Sequence, residues 1–373
     1  MTCRVEIVPD PAGLRQEWTD LCDRCVDKTV FLRPSFLLTQ GDICAGTWTA
    51  DYVCVRDDGC LVGLLPLYRR RTMGCRILGF PVSGSTPPFS LIAEAGKEAE
   101  VAEAIAAHLK SRRDWDVLRL HKICLDHAPA NALADALERH MPLVRKEAET
   151  TYLVDTATGS FEEYMATRSR QFRKTLRKAE KQHDGLGALR DLDCPGDLSL
   201  DQAMKMVEQV LERSWKGGED SAGVVRHLKR YAEPALEDGI LHLSVATLDG
   251  QPLGYQLWFV HAQKAYGFHL AYDVSLPKLS PGHMQLGRAI NIAFDTEMQE
   301  LDLCGSTDYL QKWATGTRTF TELRVVRSGL RSQLIGQAYL RSRDRRHEKA
   351  RAEVEQVKED RKQQIRASED SKE

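Results

Sequence analysis

Several features that would narrow the role of this sequence are missing from it. No stretch of its 373 residues approaches the roughly 18 uninterrupted apolar residues of a membrane span. The opening MTCRVEIVPDP has no apolar core of a secretory signal, which predicts a cytoplasmic protein. Excess charge of one sign is lacking too: 52 Lys and Arg face 54 Asp and Glu, for a net charge of −2. That balance argues against bulk nucleic-acid binding, although basic residues do cluster locally. The ten cysteines sit in apolar runs such as DYVCV, HKICL and LDLCG, as small core residues do in a reducing compartment. Cys22 and Cys25 have the spacing of half a zinc site, but no second pair of ligands follows, so no metal is expected.

What is present begins with a repetition. Residues 51–68 read DYVCVRDDGCLVGLLPLY and residues 241–258 read LHLSVATLDGQPLGYQLW. Each is an apolar run, an Asp-Gly turn and a second run, with a further Gly four residues after the first. Asp-Gly between apolar runs signals a tight hairpin, because the turn needs positive φ and Gly adopts it without steric cost. A third strand candidate follows in each half, CRILGF and AYGFHLAYD. Then come a loop, a helix (roughly 97–112 and 284–299) and a closing strand, DVLRLH and LDLC. Two copies of one element order predict an internal duplication.

Between the copies, Ser160-Phe-Glu-Glu163 has the form of a capping box and should start a helix. Its continuation RSRQFRKTLRKAEK puts Phe172, Leu176 and Ala179 on one face. Seven basic residues between Arg168 and Lys181 meet one acid, Glu180. Two readings compete, a solvated cationic face or an anion site around Arg173 and Arg177. A second helix, DQAMKMVEQVLERSWKGG, carries Trp215 and stops at Gly217-Gly218.

The resulting α-α-β-β-β-α-β order matches a scaffold on which acyltransferases hold acyl-CoA. There, the loop before the last helix turns backbone N–H groups and the positive end of the helix dipole toward a pyrophosphate. The stretch AYDVSLPKLSPGHMQLGRAI, residues 271–290, fits that part. Ser280, Pro281, Gly282 and His283 form the corner, and Gln285, Gly287 and Arg288 follow in a helix start without acids. An ordinary Pro-Gly turn is the competing reading.

The runs FRKTLRKAEK, ERSW, DGQPLGYQLWFV, KLSPGHMQLGRAI and LDLCGSTDYLQKW resemble, in this order, the cellulose-biosynthesis (CelD/BcsL-type) acetyltransferases of the GNAT superfamily, relatives of the Fem-type aminoacyl transferases. The resemblance covers about residues 150–315. It implies an α/β (α+β) fold of tandem GNAT-like domains, each a mixed, largely antiparallel sheet flanked by helices. The division would be residues 1–150, residues 151–330 and a charged helical or disordered tail, 331–373. It further implies transfer of an acetyl or other acyl group from acyl-CoA or an acyl carrier protein to an amine or hydroxyl of a small-molecule, saccharide or peptide acceptor, in envelope polysaccharide or related biosynthesis. A Fem-like aminoacyl-tRNA-dependent transferase is the alternative, with Arg341–Arg351 as further cations for an RNA backbone. A catalytically silent binding module is the third. The family's ending maps onto Asp302, Gly305, Tyr309 and Lys312, with Lys312 facing the reacting carbonyl. The pyrophosphate signature is echoed only by Gln285 and Gly287.

Acyl transfer needs a route for the acceptor's proton and a donor for the oxyanion. Strict alternation along AYGFHLAYD sets Gly267, His269, Ala271 and Asp273 on one face, opposite Tyr266, Phe268 and Tyr272. His269 or Asp273 as base, or Tyr272 as donor, are the candidates, and a structural role competes for each. No Cys or Ser lies in a nucleophile motif, so direct transfer is favoured over an acyl-enzyme.

Overall fold

The structure is a computed structural model that describes residues 3–81, 88–183, 189–214, 220–275 and 280–370. In the first half, β1 (Arg4–Val8), α1 (Arg15–Arg24) and α2 (Pro34–Cys44) precede β2 (Thr49–Ala50), β3 (Tyr52–Asp57), β4 (Cys60–Leu65), β5 (Tyr68–Thr72) and β6 (Cys75–Gly79). A short β7 (Ile92–Ala93), α3 (Glu98–Ser111), β8 (Val117–Ile123) and α4 (Ala128–His140) complete it, and β9 (Leu143–Asp155) leads onward.

The second half contains α5 (Phe161–Ala166), α6 (Arg170–His183), β10 (Leu189–Cys194), α7 (Leu200–Glu212) and α8 (Ser221–Glu237). Strands β11 (Leu241–Leu248), β12 (Gln251–His261) and β13 (Lys264–Tyr272) run to α9 (Pro281–Asp295). After it come β14 (Glu300–Asp302), the one-turn α10 (Asp308–Gln311), β15 (Gly316–Val326) and the long α11 (Leu330–Asp370).

Among the described residues the strands form two sheets, one of four in the order β1-β3-β4-β7 and one of eleven, β10-β11-β12-β13-β14-β9-β15-β8-β6-β5-β2. Both Asp-Gly turns form, with Asp58 and Gly59 at φ 47° and 85° and Asp249 and Gly250 at 49° and 81°. These are the paired positive φ values that such a two-residue hairpin requires. In the second half β10, β11, β12 and β13 are antiparallel. β13 and β14 then pair in parallel over three residues, Lys264–Tyr266 against Glu300–Asp302. α7 packs on one face of this sheet with α8 beside it; α9, under α5 and α6, packs on the other.

Four expectations change. CRILGF, read as the third strand of the first hairpin sheet, is β6, which pairs in parallel with β8 in the large sheet; β7 takes the place beside β4. The basic stretch and the helix after it are not the two helices that precede the strands. The capping box at Ser160 and Glu163 does form, but it opens the short α5. α6 lies on the α9 side of the sheet, while α7 and α8 are the preceding pair. Gly217 and Gly218 lie outside the described residues. The corner helix begins earlier than expected, at Pro281.

Alternation along β13 also fails. The register slips between Leu257 opposite His269 and Trp258 opposite Gly267, leaving Phe268 as an extra residue. Such a bulge breaks the period of two. Phe268 and Ala271 therefore both pack in the cluster with Leu257 and Phe259, whereas Gly267 lies against the Trp258 ring.

The halves share one framework. Phe31 and Phe36 of the first half pack edge-on against Tyr266 and Phe259 of the second. β15 pairs with both β8 and β9, and β9 runs through residue 150. Tyr339 and Leu340 bury the start of α11 against the first-half core. Among the described residues, no helix is long and apolar enough to cross a membrane.

Candidate functional site

The corner at the start of α9 is built under constraint. Ser280 holds φ 46° and ψ 48° and makes no side-chain cap, a left-handed conformation uncommon outside Gly and Asn. Pro281 occupies the first helical position, where its missing N–H costs nothing. The first turn contains no acid, so its N–H groups and dipole favour an anion.

Gly282 is required because one of the protein's own side chains packs on it. A Cβ there would stand 2.6 Å from the Tyr272 ring, and the Tyr309 hydroxyl donates to the Gly282 carbonyl at 2.6 Å. The bare Cα thus receives the protein's own tyrosine, which also fixes the places of Tyr272 and Tyr309 against the corner. Gly287, expected to face a phosphate, admits Trp313: a Cβ there would lie 2.8 Å from the indole.

Trp313, 1% exposed, links the site's elements. Its Nε1–H donates to His283 Nδ1 at 3.1 Å. Phe172 of α6 meets the Trp313 ring edge-on at 4.9 Å and the His283 ring at 5.2 Å, and Tyr309 lies 4.5 Å from His283. Burial, then the nearby Lys312 ammonium, pushes the His283 imidazole down to about 4. Lys312 is exposed at the end of α10. The Trp313 backbone is held in turn by the Tyr164 hydroxyl at 2.5 Å.

Beside α9 lies a cavity of about 400 Å³. Phe161, Met165, Leu176, Ala246, Leu253 and Trp313 give it an apolar interior, and His283, Met284, Gln285, Gly287 and Arg288 of α9 form one wall. Arg173 and Arg177 of α6 border it and also line a shallow recess with Arg170 and Lys174 on the outer side. Arg288 forms an ion pair with Asp191 of β10. Gln285, 9% exposed, crosses β12 where Gly254 lacks a side chain; a Cβ there would come within 2.6 Å of Oε1.

The remaining candidates lie elsewhere. His269 Nδ1 is 2.8 Å from the Tyr255 hydroxyl on the α7 side of the sheet. Asp273 accepts from Arg213 at 2.6 Å and from Ser275 N and Oγ at 2.8 and 2.6 Å. Burial opposes its charge, but these donors hold it below the usual carboxylate range, which suits a structural partner and not a base. Asp302 is buried, accepting from Arg318 at 2.8 Å and from Cys304 N at 2.8 Å. It anchors the end of β14 and does not pair with Lys312. Trp215 lies outside the described residues. The Trp313–His283 bond escaped sequence reasoning because it joins elements thirty residues apart; its one local trace is Gly287, a turn after His283.

Residues 170–312 match the model of the acetyltransferase (GNAT) domain family. α6, the corner and Lys312 all fall inside the matched segment. No curated protein matches the chain in sequence. Among solved structures, one of FemX aligns over 87% of this chain and 97% of its own, at 12% identity and TM-score 0.61. The C-terminal domain of a putative lysylphosphatidylglycerol synthetase from Agrobacterium fabrum aligns over 87% and 94%, at 10% identity and TM-score 0.54. L-PGS from Bacillus licheniformis aligns over 88% and 97%, at 10% identity and TM-score 0.51. At these identities the likeness is one of fold.

Proposed function

We propose that this protein transfers an acyl group from an activated, phosphate-bearing donor to an amine or hydroxyl acceptor, with acyl-CoA as the leading donor. The observation that carries the proposal is the convergence on one helix end of an acid-free N-terminus, an apolar cavity and flanking Arg173 and Arg177. The cavity suits the acyl portion and the cations suit the phosphates. Lys312, whose charge is felt at His283, would in this reading add positive potential at the reacting carbonyl.

The fit to CoA is divided. The α9 N-terminus offers what a pyrophosphate needs, but the bare face of Gly282 is taken by Tyr272. Donor phosphates therefore belong on the cavity side of the corner, toward α6. A specific observation favours a second reading: Arg170, Arg173, Lys174 and Arg177 line an outward recess that could follow a nucleic-acid backbone. Together with the Fem-type resemblance, this supports aminoacyl transfer from tRNA. The CelD/BcsL-type resemblance makes a saccharide of the cell envelope the first acceptor to try. In this reading residues 1–150 are a GNAT-like unit without its own site and residues 151–330 hold the chemistry.

Mass spectrometry of ligands retained by the purified full chain, followed by calorimetry, tests the proposal. Retained CoA species, and CoA binding that weakens in the Arg173→Gln/Arg177→Gln double variant, are expected. Co-purifying tRNA would redirect the donor to an aminoacyl ester. Neither ligand, together with no transfer from either donor, would leave a binding module and overturn the proposal.

A further inference from the structure

His283 sits in the first turn of α9, with its ring among Phe172, Tyr309 and Trp313. An indole N–H can only donate. Because Trp313 Nε1–H points at His283 Nδ1 at 3.1 Å, that nitrogen must carry a lone pair, and the ring proton resides on Nε2. Protonating Nδ1 would set two N–H groups against each other inside an aromatic cluster. Among the described residues, no hydrogen bond engages Nε2, and His283 lines the cavity.

From this geometry we propose that His283 is the oxyanion donor of the transfer reaction, its Nε2–H directed at the carbonyl oxygen of the donor ester or thioester. The inference rests on the acyl-transfer reading above. In the step, the acceptor nitrogen or oxygen bonds to the carbonyl carbon, and the π pair moves onto oxygen, where Nε2–H holds it. Collapse breaks the C–S or C–O bond to the leaving group, which takes the proton shed by the acceptor. His283 neither gains nor loses a proton overall. A neutral donor suits the task, since it needs no titration to be ready and gives up no proton to the oxyanion.

The surroundings keep it neutral. Charges bordering the ring and cavity are Lys312, Arg173, Arg177, Glu180, Asp191 and Arg288. Lys312 and burial both oppose a second positive charge on the imidazole. Trp313 is then a positioning residue, reaching His283 because Gly287 leaves space for its ring.

The test compares full-length wild type, His283→Phe, His283→Gln and Trp313→Phe. His283→Phe keeps an aromatic ring in the cluster and removes the donor; it should lower kcat roughly a hundredfold or more, with donor Kd unchanged. His283→Gln, which retains an N–H, should recover part of the loss. Trp313→Phe frees the tautomer, so kcat should drop near neutral pH as part of the ring loses its Nε2 proton, and should acquire an acidic limb, absent from wild type, along which protonation restores Nε2–H and raises kcat. Nitrogen NMR of histidine-labelled wild type should show Nε2 protonated and Nδ1 bare near neutral pH. Wild-type turnover in His283→Phe, or the opposite tautomer, overturns the inference and leaves acyl transfer standing. Should His283→Phe not fold, His283→Gln at wild-type rate with no new limb in Trp313→Phe overturns it equally. A wild type that turns over neither acyl-CoA nor aminoacyl-tRNA removes the acyl-transfer reading and the inference with it.

Discussion

The same crossing of a helix over a hairpin strand occurs in both halves, and each half uses it differently. In the first, Gly63 of β4 lets α3 come so close that a Cβ would meet Val101 Cγ1 at 2.2 Å. In the second, Gly254 of β12 admits α9, and the group over it is the Gln285 amide. The buried face of α3 is Val101, Ala102, Ile105, Ala106 and Leu109; that of α9 includes two glycine or polar positions, Gly282 and Gln285. The first turn of α3 carries Glu98 and Glu100, and that of α9 carries no acid. One frame thus serves packing in the first half, while in the second it holds polar groups and a cavity at a helix end suited to anions.

If the chemistry lies wholly in the second half, a cation taken from each half should differ most in its effect on turnover. Lys312→Met keeps side-chain length and removes charge beside His283; turnover should fall roughly a hundredfold, with little change in donor Kd or Tm. Lys97→Met, at the start of α3, breaks an ion pair with Asp57 of 2.7 Å and should leave turnover at the wild-type level. Steady-state kinetics on both variants decide it. Normal turnover in Lys312→Met would make that lysine a surface residue.

Two histidines sharpen the contrast through pH. His127, before α4, pairs with Asp27 at 2.6 Å; burial favours the neutral ring, but the Asp27 carboxylate outweighs it and raises the pKa from 6.5 to about 10. The folded state thus holds the proton more tightly than the unfolded chain. The stabilisation is fully present below about 6.5 and is lost as pH climbs toward 10. The Tm advantage of wild type over His127→Gln should accordingly be larger at pH 6 than at pH 9. An advantage that grows with pH would contradict a charged His127. For His283, held low at about 4, the sign reverses: its neutral ring contributes stability above 6.5 that is lost as pH falls toward 4, so the change between pH 9 and 6 is smaller and opposite.

Local chemistry was legible in the sequence wherever it decided structure alone. The Asp-Gly turns, the capping box at Ser160 and the α/β pattern follow from backbone preferences within a few residues. Sheet membership of CRILGF did not, because its pairing with β8 is a parallel contact across α3. The bulge at Phe268 was invisible for a similar reason: strict alternation fits AYGFHLAYD until its partner strand is known. At the site, the sequence supplied the corner, Tyr309 and Lys312, all through order and resemblance. The purposes of Gly282 and Gly287 depended on rings folded over them from distant positions, Tyr272 and Trp313.

The two crossing glycines should separate stability from function. Gly63→Ala drives a Cβ into a branched, fully buried Val101 on a packed helix and should cost about 1–3 kcal/mol, as overpacking does. Gly254→Ala meets chiefly the far end of Gln285, which can rotate away, and more lightly the Ala271 carbonyl oxygen at 3.1 Å, so its cost should be smaller. The displaced amide then intrudes on the cavity, and donor KM should rise. Chemical denaturation and kinetics on the pair check this. Equal destabilisation without a kinetic change in Gly254→Ala would show that the second crossing is packed as rigidly as the first.

The smallest effect expected comes from copying the acidic first turn of α3 onto α9. Met284 lines the cavity one turn into the helix, so Met284→Glu adds a charge there without touching Gly282, His283 or Trp313. A charge at a helix terminus is worth roughly 0.3–1 kcal/mol, so donor Kd should rise about two- to fivefold, measured by calorimetry at low salt. The reciprocal change, Glu98→Gln in α3, should leave donor binding untouched. Screening supplies the check on mechanism: raising the salt to about 0.5 M shortens the Debye length to a few ångströms, and the Met284→Glu penalty should shrink toward zero. A penalty that persists at high salt would mean the glutamate blocks the cavity sterically, and a donor that binds both proteins alike at low salt would place its phosphates away from α9.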